Sequence, residues 1–200
     1  MNIKFKNKTI ELKKELSDLD KFVIKFTKVI NKLNINYVII SGYIALLFGR
    51  SRGTEDIDIF IEKISKEEYY ELIKTLEDNN FWCINTEDKQ EQFSMLQDNL
   101  AIRIANKKEA IPNIEIKFPK DQHGEDSLDN KLTIKLNNHI FYTSPIESQI
   151  AFKLYLGSPK DIEDAIHLLN IFKKQLNKNL LKQYAKKLNV TNLMEKYKIG

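Results

Sequence analysis

Ser41-Gly42-Tyr43-Ile44-Ala45-Leu46-Leu47-Phe48-Gly49-Arg50-Ser51-Arg52-Gly53-Thr54-Glu55-Asp56-Ile57-Asp58-Ile59-Phe60-Ile61 is the stretch that decides the fold. It reads as a strand end, a tight turn, a short helix, a basic loop and then a strand bearing two carboxylates. In extended chain, side chains at i and i+2 share a face. Asp56 and Asp58 therefore point together, and Ile57, Ile59 and Ile61 point the other way into a core. Adjacent carboxylates repel unless a cation or a proton lies between them. A pair of hard oxygen ligands on a rigid strand suits a magnesium ion that bridges triphosphate oxygens.

Two further elements join this strand. Upstream, Ser41 and Gly42 form a turn that opens a helix, where backbone N–H groups face a phosphate. The residues between Gly42 and Asp56 are enough for one short helix and a return strand, which brings turn and carboxylates together. Downstream, Asn113-Ile114-Glu115-Ile116-Lys117-Phe118 alternates, with Ile114, Ile116 and Phe118 on one face and Glu115 and Lys117 on the other. Glu115 is thus expected as a third carboxylate on an adjacent strand, and three carboxylates can hold two metal ions. Arg50 and Arg52 offer planar guanidinium forks for a phosphate or for Glu55. Lys153 lies among Ile150, Ala151, Phe152 and Leu154, and reads as an inward-facing charge that seeks a carboxylate or a phosphate or as a side chain that snorkels at the helix edge. Asp161 reads as a first-turn acid favoured by the helix dipole, and Asp164 as exposed or salt-bridged. Tyr43, Phe48, Phe81 and Trp82 read as core aromatics, though Tyr43 follows the turn closely enough to touch a base.

Working outward, residues 8–33 read as helical, in two pieces with Ser17 as N-cap of the longer one. Leu19, Phe22, Val23, Phe26, Val29, Ile30 and Leu33 form its apolar stripe. Tyr37-Val38-Ile39-Ile40 reads as a strand covered on both faces. Ser65 caps a helix that runs to about Glu77. Short strands are expected over 81–84 and 101–104, and a longer one over 113–118. Residues 121–130 read as an exposed loop. Residues 132–136 and 139–142 flank Asn137-Asn138 as a hairpin. From Thr143 the texture turns helical. Ser144-Pro145-Ile146-Glu147 has the pattern of a capping box with Pro at the first helical position, and Ser158-Pro159-Lys160-Asp161 opens the next helix. The expected architecture is α+β: a mixed β-sheet core flanked by helices over residues 1–143, then a C-terminal helical segment over 144–200.

Composition narrows the class further. The 200 residues carry 42% hydrophobic and 30% charged side chains and a net charge of +4, mild enough to suit a nucleotide without demanding nucleic acid. Lysines over 173–187 read equally as a nucleic-acid-binding surface or as the solvated face of amphipathic helices. The one cysteine, Cys83, beside Trp82, reads as a small buried hydrophobe and fits a reducing cytoplasm. No apolar region follows the basic N-terminus as a signal peptide would require, and the longest uncharged run, 33–49, is shorter than the roughly 20 residues of a spanning helix. His123, His139 and His167 share no ligand spacing, so no zinc site is expected.

The Ser41-Gly42 turn, the Asp56-Ile57-Asp58 strand and the later Glu115 resemble the nucleotidyltransferase superfamily related to DNA polymerase beta. Arg52-Gly53-Thr54-Glu55-Asp56-Ile57-Asp58 looks most like its minimal prokaryotic branch, which includes AbiEii-type toxins and antitoxin-like proteins. Lys153 and Lys160-Asp161, with Asp164-Ala165, resemble the helical segment that follows, so the resemblance spans about residues 34–170. The turn departs from the usual pattern in that Ser41 stands where the first glycine is expected. The resemblance implies a metal-dependent enzyme, using Mg2+ or Mn2+, that moves a nucleoside monophosphate from an NTP such as ATP to a hydroxyl of a protein, a tRNA end or a small molecule. Asp56, Asp58 and Glu115 would be the catalytic and metal-binding acids. Ser41, Gly42, Arg52 and Lys153 would hold the nucleotide. A toxin–antitoxin role, with a protein partner and no membrane, is implied as well. The alternative is a non-catalytic, antitoxin-like nucleotide- or protein-binding module.

Overall fold

Among the described residues nine strands form one mixed sheet, in which three neighbouring pairs run parallel and five antiparallel. The structure is a computed structural model and describes residues 2–197. Its strands are β1 (Asn2–Lys6), β2 (Thr9–Lys13), β3 (Tyr37–Ile40), β4 (Asp56–Ile61), β5 (Phe81–Cys83), β6 (Ile102–Asn106), β7 (Asn113–Lys117), β8 (Leu132–Leu136) and β9 (His139–Thr143), and they lie side by side in the order β1-β2-β8-β9-β3-β4-β7-β6-β5. The helices are α1 (Asp18–Lys32), α2 (Gly42–Leu47), α3 (Lys66–Asp78), α4 (Lys89–Gln97), α5 (Gln122–Asp129), α6 (Ile146–Leu156), α7 (Pro159–Phe172), α8 (Lys178–Lys187) and α9 (Thr191–Lys196). The α+β expectation of a mixed sheet flanked by helices, with a helical C-terminal stretch, matches this architecture.

Three local readings are corrected. Residues 9–13 are strand, not helix. Asn7 and Lys8 take φ of 49° and 60°, the turn that a two-residue hairpin needs. Ile10 and Leu12 are buried while Glu11 and Lys13 are exposed, so period two decides the segment. Residues 122–129 are a helix rather than an exposed loop. Asp121 caps it by accepting from the Gly124 amide at 3.0 Å, and Leu128 docks on Val38 and Ile40. Ser144 does not cap α6. Pro145 holds the N-cap position, the Ser144 hydroxyl accepts from Gln149, and Glu147 instead accepts from the Asn177 amide at 2.7 Å. Helix α4 was also unannounced, since Phe93 and Leu96 are its only buried apolar side chains.

Alternation along β3 and β4 divides the sheet's faces. Tyr37, Ile39, Ile57, Ile59 and Ile61 join the main core under α1 and its neighbours. Val38 and Ile40 turn to the other face, where Phe60 and Leu128 complete a small cluster. The main core also takes in Ile146, Ile150, Leu154, Leu168 and Leu181 of the C-terminal helices. Cys83 is buried, and burial pushes its thiol pKa up, away from reactivity. Among the described residues no helix is long and apolar enough to cross a membrane.

One buried acid ties α1 to the rest. Asp20 accepts hydrogen bonds at 2.8 Å from the Ser17 amide, the Ser17 hydroxyl and the Tyr43 hydroxyl, and Lys14 Nζ lies 2.8 Å away. Burial alone would raise its pKa, but Lys14, Ser17 and Tyr43 together outweigh that and hold it below 3.8. A depressed folded pKa stabilises the fold above the ordinary value, and the contribution is lost as pH falls through the folded one. The gap in denaturation midpoint between the wild type and Asp20→Asn is therefore expected to be constant near neutrality and to close below about pH 4. A gap that persists unchanged in acid contradicts this assignment.

Candidate active site

The turn after β3 is built under strain. Ser41 has φ 66° and ψ −134°, a conformation that suits glycine rather than an L side chain. Its amide donates to Gln149 Oε1 at 3.0 Å, and Gln149 Nε2 in turn donates to the Ser144 hydroxyl at 2.8 Å. Gln149 is the residue that sequence reading missed. Its one sequence signal was an amide at the edge of the apolar run 150–152, one turn before Lys153. Strain of this kind costs about 1–3 kcal/mol. Ser41→Gly should relieve it, less roughly 0.4–1 kcal/mol for the added freedom of the unfolded chain. A small rise in melting temperature is expected, and a fall would contradict the strain.

Gly42 is needed for a different reason. A Cβ there would overlap the Arg52 guanidinium and press on the Thr54 hydroxyl. Arg52 thus lies directly against the turn. Its side chain is 9% exposed, and its Nε and Nη1 are buried without a hydrogen-bond partner among the described residues. Both arginines of the loop face α7: Arg50 Nε is 3.6 Å and Arg52 Nε 3.5 Å from the Asp164 carboxylate, and Arg50 also pairs with Glu163. His167 Nε2 lies 3.1 Å from the Phe48 carbonyl and fixes α2 to the same helix.

Asp164, fully buried and salt-bridged, is the hub. Lys153 Nζ lies 2.7 Å from Asp161 and 3.2 Å from Asp164, and is 2% exposed. Of the two partners that the sequence left open for Lys153, carboxylate or phosphate, the structure places carboxylates around it. Asp161 also accepts from the Ser158 hydroxyl at 2.6 Å and sits in the first turn of α7. Burial raises its pKa, but Lys153 and Ser158 outweigh it, so the carboxyl stays below 3.8.

The carboxylates lie beside this turn. Ile40, the residue before Ser41, is the antiparallel register partner of Asp58. On the other side β4 runs parallel to β7, with Asp56 opposite Asn113, Asp58 opposite Glu115 and Phe60 opposite Lys117. Lys117 Nζ bridges Asp58 Oδ1 at 2.8 Å and Glu115 Oε2 at 2.9 Å, and Arg103 Nε reaches Glu115 Oε1 at 2.9 Å. Burial pushes the Glu115 carboxyl up, yet Lys117 and Arg103 prevail and hold it below 4.5. Asp56 is exposed, with the Thr54 hydroxyl 3.3 Å from its Oδ1, and forms no ion pair among the described residues.

Among the described residues no group of three or more His, Cys, Asp or Glu side chains is placed to hold a metal ion. Both oxygens of Glu115 are taken by cationic side chains, so a three-carboxylate, two-ion arrangement does not fit. The structure gathers Ser41, Gly42, Arg52, Asp58 and Glu115 in one region, with Asp56 at its exposed edge and Lys153 behind it.

Of the two readings of Tyr43, the structure gives the core one: it is 1% exposed and its hydroxyl is committed to Asp20 rather than to a base. His123 lies on α5 rather than in a loop, stacked on Phe152 at 5.3 Å, and burial lowers its pKa.

A scan against protein-family models and a search of curated proteins each match nothing. Solved structures do match. An antigenic nucleotidyltransferase-like protein from Paracoccidioides brasiliensis superposes with a TM-score of 0.55 at 17% identity, over 90% of this chain and 93% of that one. The antibiotic-resistance factor ANT(2'')-Ia in solution gives 0.52 at 12% identity, over 90% and 97%. Its crystal structure in complex with adenylyl-2''-tobramycin gives 0.52 at 14%, over 84% and 94%. At these identities the likeness establishes the fold: the chain has the architecture of nucleotidyltransferase-like proteins.

Proposed function

We propose that this chain transfers a nucleoside monophosphate from an NTP, ATP among them, to a hydroxyl of a protein, a tRNA end or a small molecule, as a component of a toxin–antitoxin pair in the cytoplasm. The observation that carries this reading is the register of three strands. It sets Asp58 beside Glu115 on one side and beside the Ser41-Gly42 turn on the other, with the Arg52 guanidinium lying on the glycine.

In this reading Arg52, whose Nη1 has no hydrogen-bond partner among the described residues while its Nε faces Asp164, takes phosphate oxygens of the triphosphate, and Gly42 leaves it room to do so. The acceptor oxygen attacks the α-phosphorus, the bond to the pyrophosphate oxygen breaks, and negative charge grows on the leaving group. Cationic side chains fixed in advance stabilise that charge without reorganising. The hydroxyl proton goes to Asp56, the one of the three acids that forms no ion pair among the described residues. Glu115, held ionised by Lys117 and Arg103, is a poor proton acceptor and serves to position Lys117. A divalent ion, when bound with the nucleotide, would supply further charge beside Asp56 and Asp58.

One observation favours a second reading, a non-catalytic nucleotide- or protein-binding module. Both Glu115 oxygens are capped, which removes one acid from chemistry. Incubation with each α-labelled NTP, Mg2+ or Mn2+ and a cell extract separates the two. Covalent label transfer is expected. Nucleotide binding with no transfer from any NTP would support the binding module instead.

A further inference from the structure

The pairing of Asp58 with Glu115 creates an electrostatic demand that the chain meets from its own sequence. Adjacent strands run about 4.8 Å apart, so two carboxylates in register repel unless positive charge lies between them. Lys117 follows Glu115 by two residues, so its side chain leaves the same face of β7. Its ammonium lies within hydrogen-bond distance of both acids, at 2.8 and 2.9 Å. Arg103, the register partner of Glu115 on β6, takes the remaining Glu115 oxygen. Two carboxylate charges are thus balanced by two cationic side chains on adjoining strands. The place between the acids is the one a bridging divalent ion would need, and Lys117 Nζ fills it.

We propose that Lys117 is a built-in counter-ion that stands in for a divalent cation between Asp58 and Glu115, so that this pair takes no metal while Lys117 is present. The idea rests on the function proposed above only in treating the pair as part of a nucleotide site; its geometry is independent of nucleotide. An ammonium differs from a metal in two ways that matter. It is always present, whatever the ion concentration. It also has no open coordination position, so it steadies an anion but does not acidify a bound hydroxyl as a metal does. Only the Asp56 side of the site then remains open to a divalent ion.

Mn2+ titration of the intact chain without nucleotide tests this. Lys117→Gln should bind one more Mn2+ per chain than the wild type. Lys117→Gln combined with Glu115→Gln should return to the wild-type number, and Lys117→Arg should match it throughout. Equal stoichiometry in the wild type and Lys117→Gln overturns the proposal. If Lys117→Gln does not fold, wild-type crystals soaked in Mn2+ decide: no anomalous peak between Asp58 and Glu115 supports it, and a peak there overturns it. Such a peak would leave the transfer reaction standing. Absence of nucleotide binding and of label transfer would instead remove the proposed function and leave the counter-ion intact.

Discussion

Asp164→Ala is expected to lower the melting temperature by roughly 6–20 °C. The carboxylate is fully buried and faces Lys153, Arg50 and Arg52, of which Lys153 is 2% exposed. Its removal leaves Arg52 with no carboxylate partner among the described residues, while Lys153 keeps Asp161 and Arg50 keeps Glu163, and breaking a buried pair from one side costs about 3–5 kcal/mol. Each kcal/mol moves the midpoint of a chain this size by roughly 2–4 °C. The size of the effect comes from the orphaned partners more than from the lost attraction. Asp164→Leu combined with Lys153→Met should therefore be less destabilised than the sum of the two single variants. Thermal melts of the set check this. An Asp164→Ala midpoint within 2 °C of the wild type would mean that the network carries no weight.

Asp58→Asn is expected to do the opposite: large loss of activity with little loss of stability. Asp58 sits at the junction of the Ser41-Gly42 turn and the Glu115 strand, and its charge helps fix Lys117. Loss of one preorganised charged group from such a site costs on the order of 10²–10³ in rate. Lys117 keeps Glu115 as a partner, and both members of the lost pair are partly exposed, so the change in folding free energy stays within about 1 kcal/mol. Label-transfer rates measured beside thermal melts separate the two effects. Full transfer by Asp58→Asn would exclude this carboxylate from the chemistry.

The strands that position the site were legible because their signals are local. Ile57, Ile59 and Ile61 alternate with the carboxylates, Ile114 and Ile116 alternate with Glu115, and Ser17, Ser65 and Ser158 are N-caps with their bonds in place. The errors fell where tertiary contact decides. Residues 9–13 alternate over only five positions, too few to outweigh the helical reading, and their place beside β8 is a tertiary contact; α5 likewise holds to the sheet through Leu128. The ionic layer was least legible. Nothing in Lys153 or Arg52 alone says that both meet Asp164, because those contacts join residues far apart in the chain. Lys117 was visible as a neighbour of Glu115, but its reach to Asp58 depends on strand register, which sequence does not print.

The most direct test of the account is the structure of the chain with a non-hydrolysable NTP bound. The phosphates should lie between Gly42 and Asp58, with Arg52 nitrogens on their oxygens. A triphosphate bound on the opposite face of the sheet, or one that leaves Arg52 and Asp58 untouched, would contradict it.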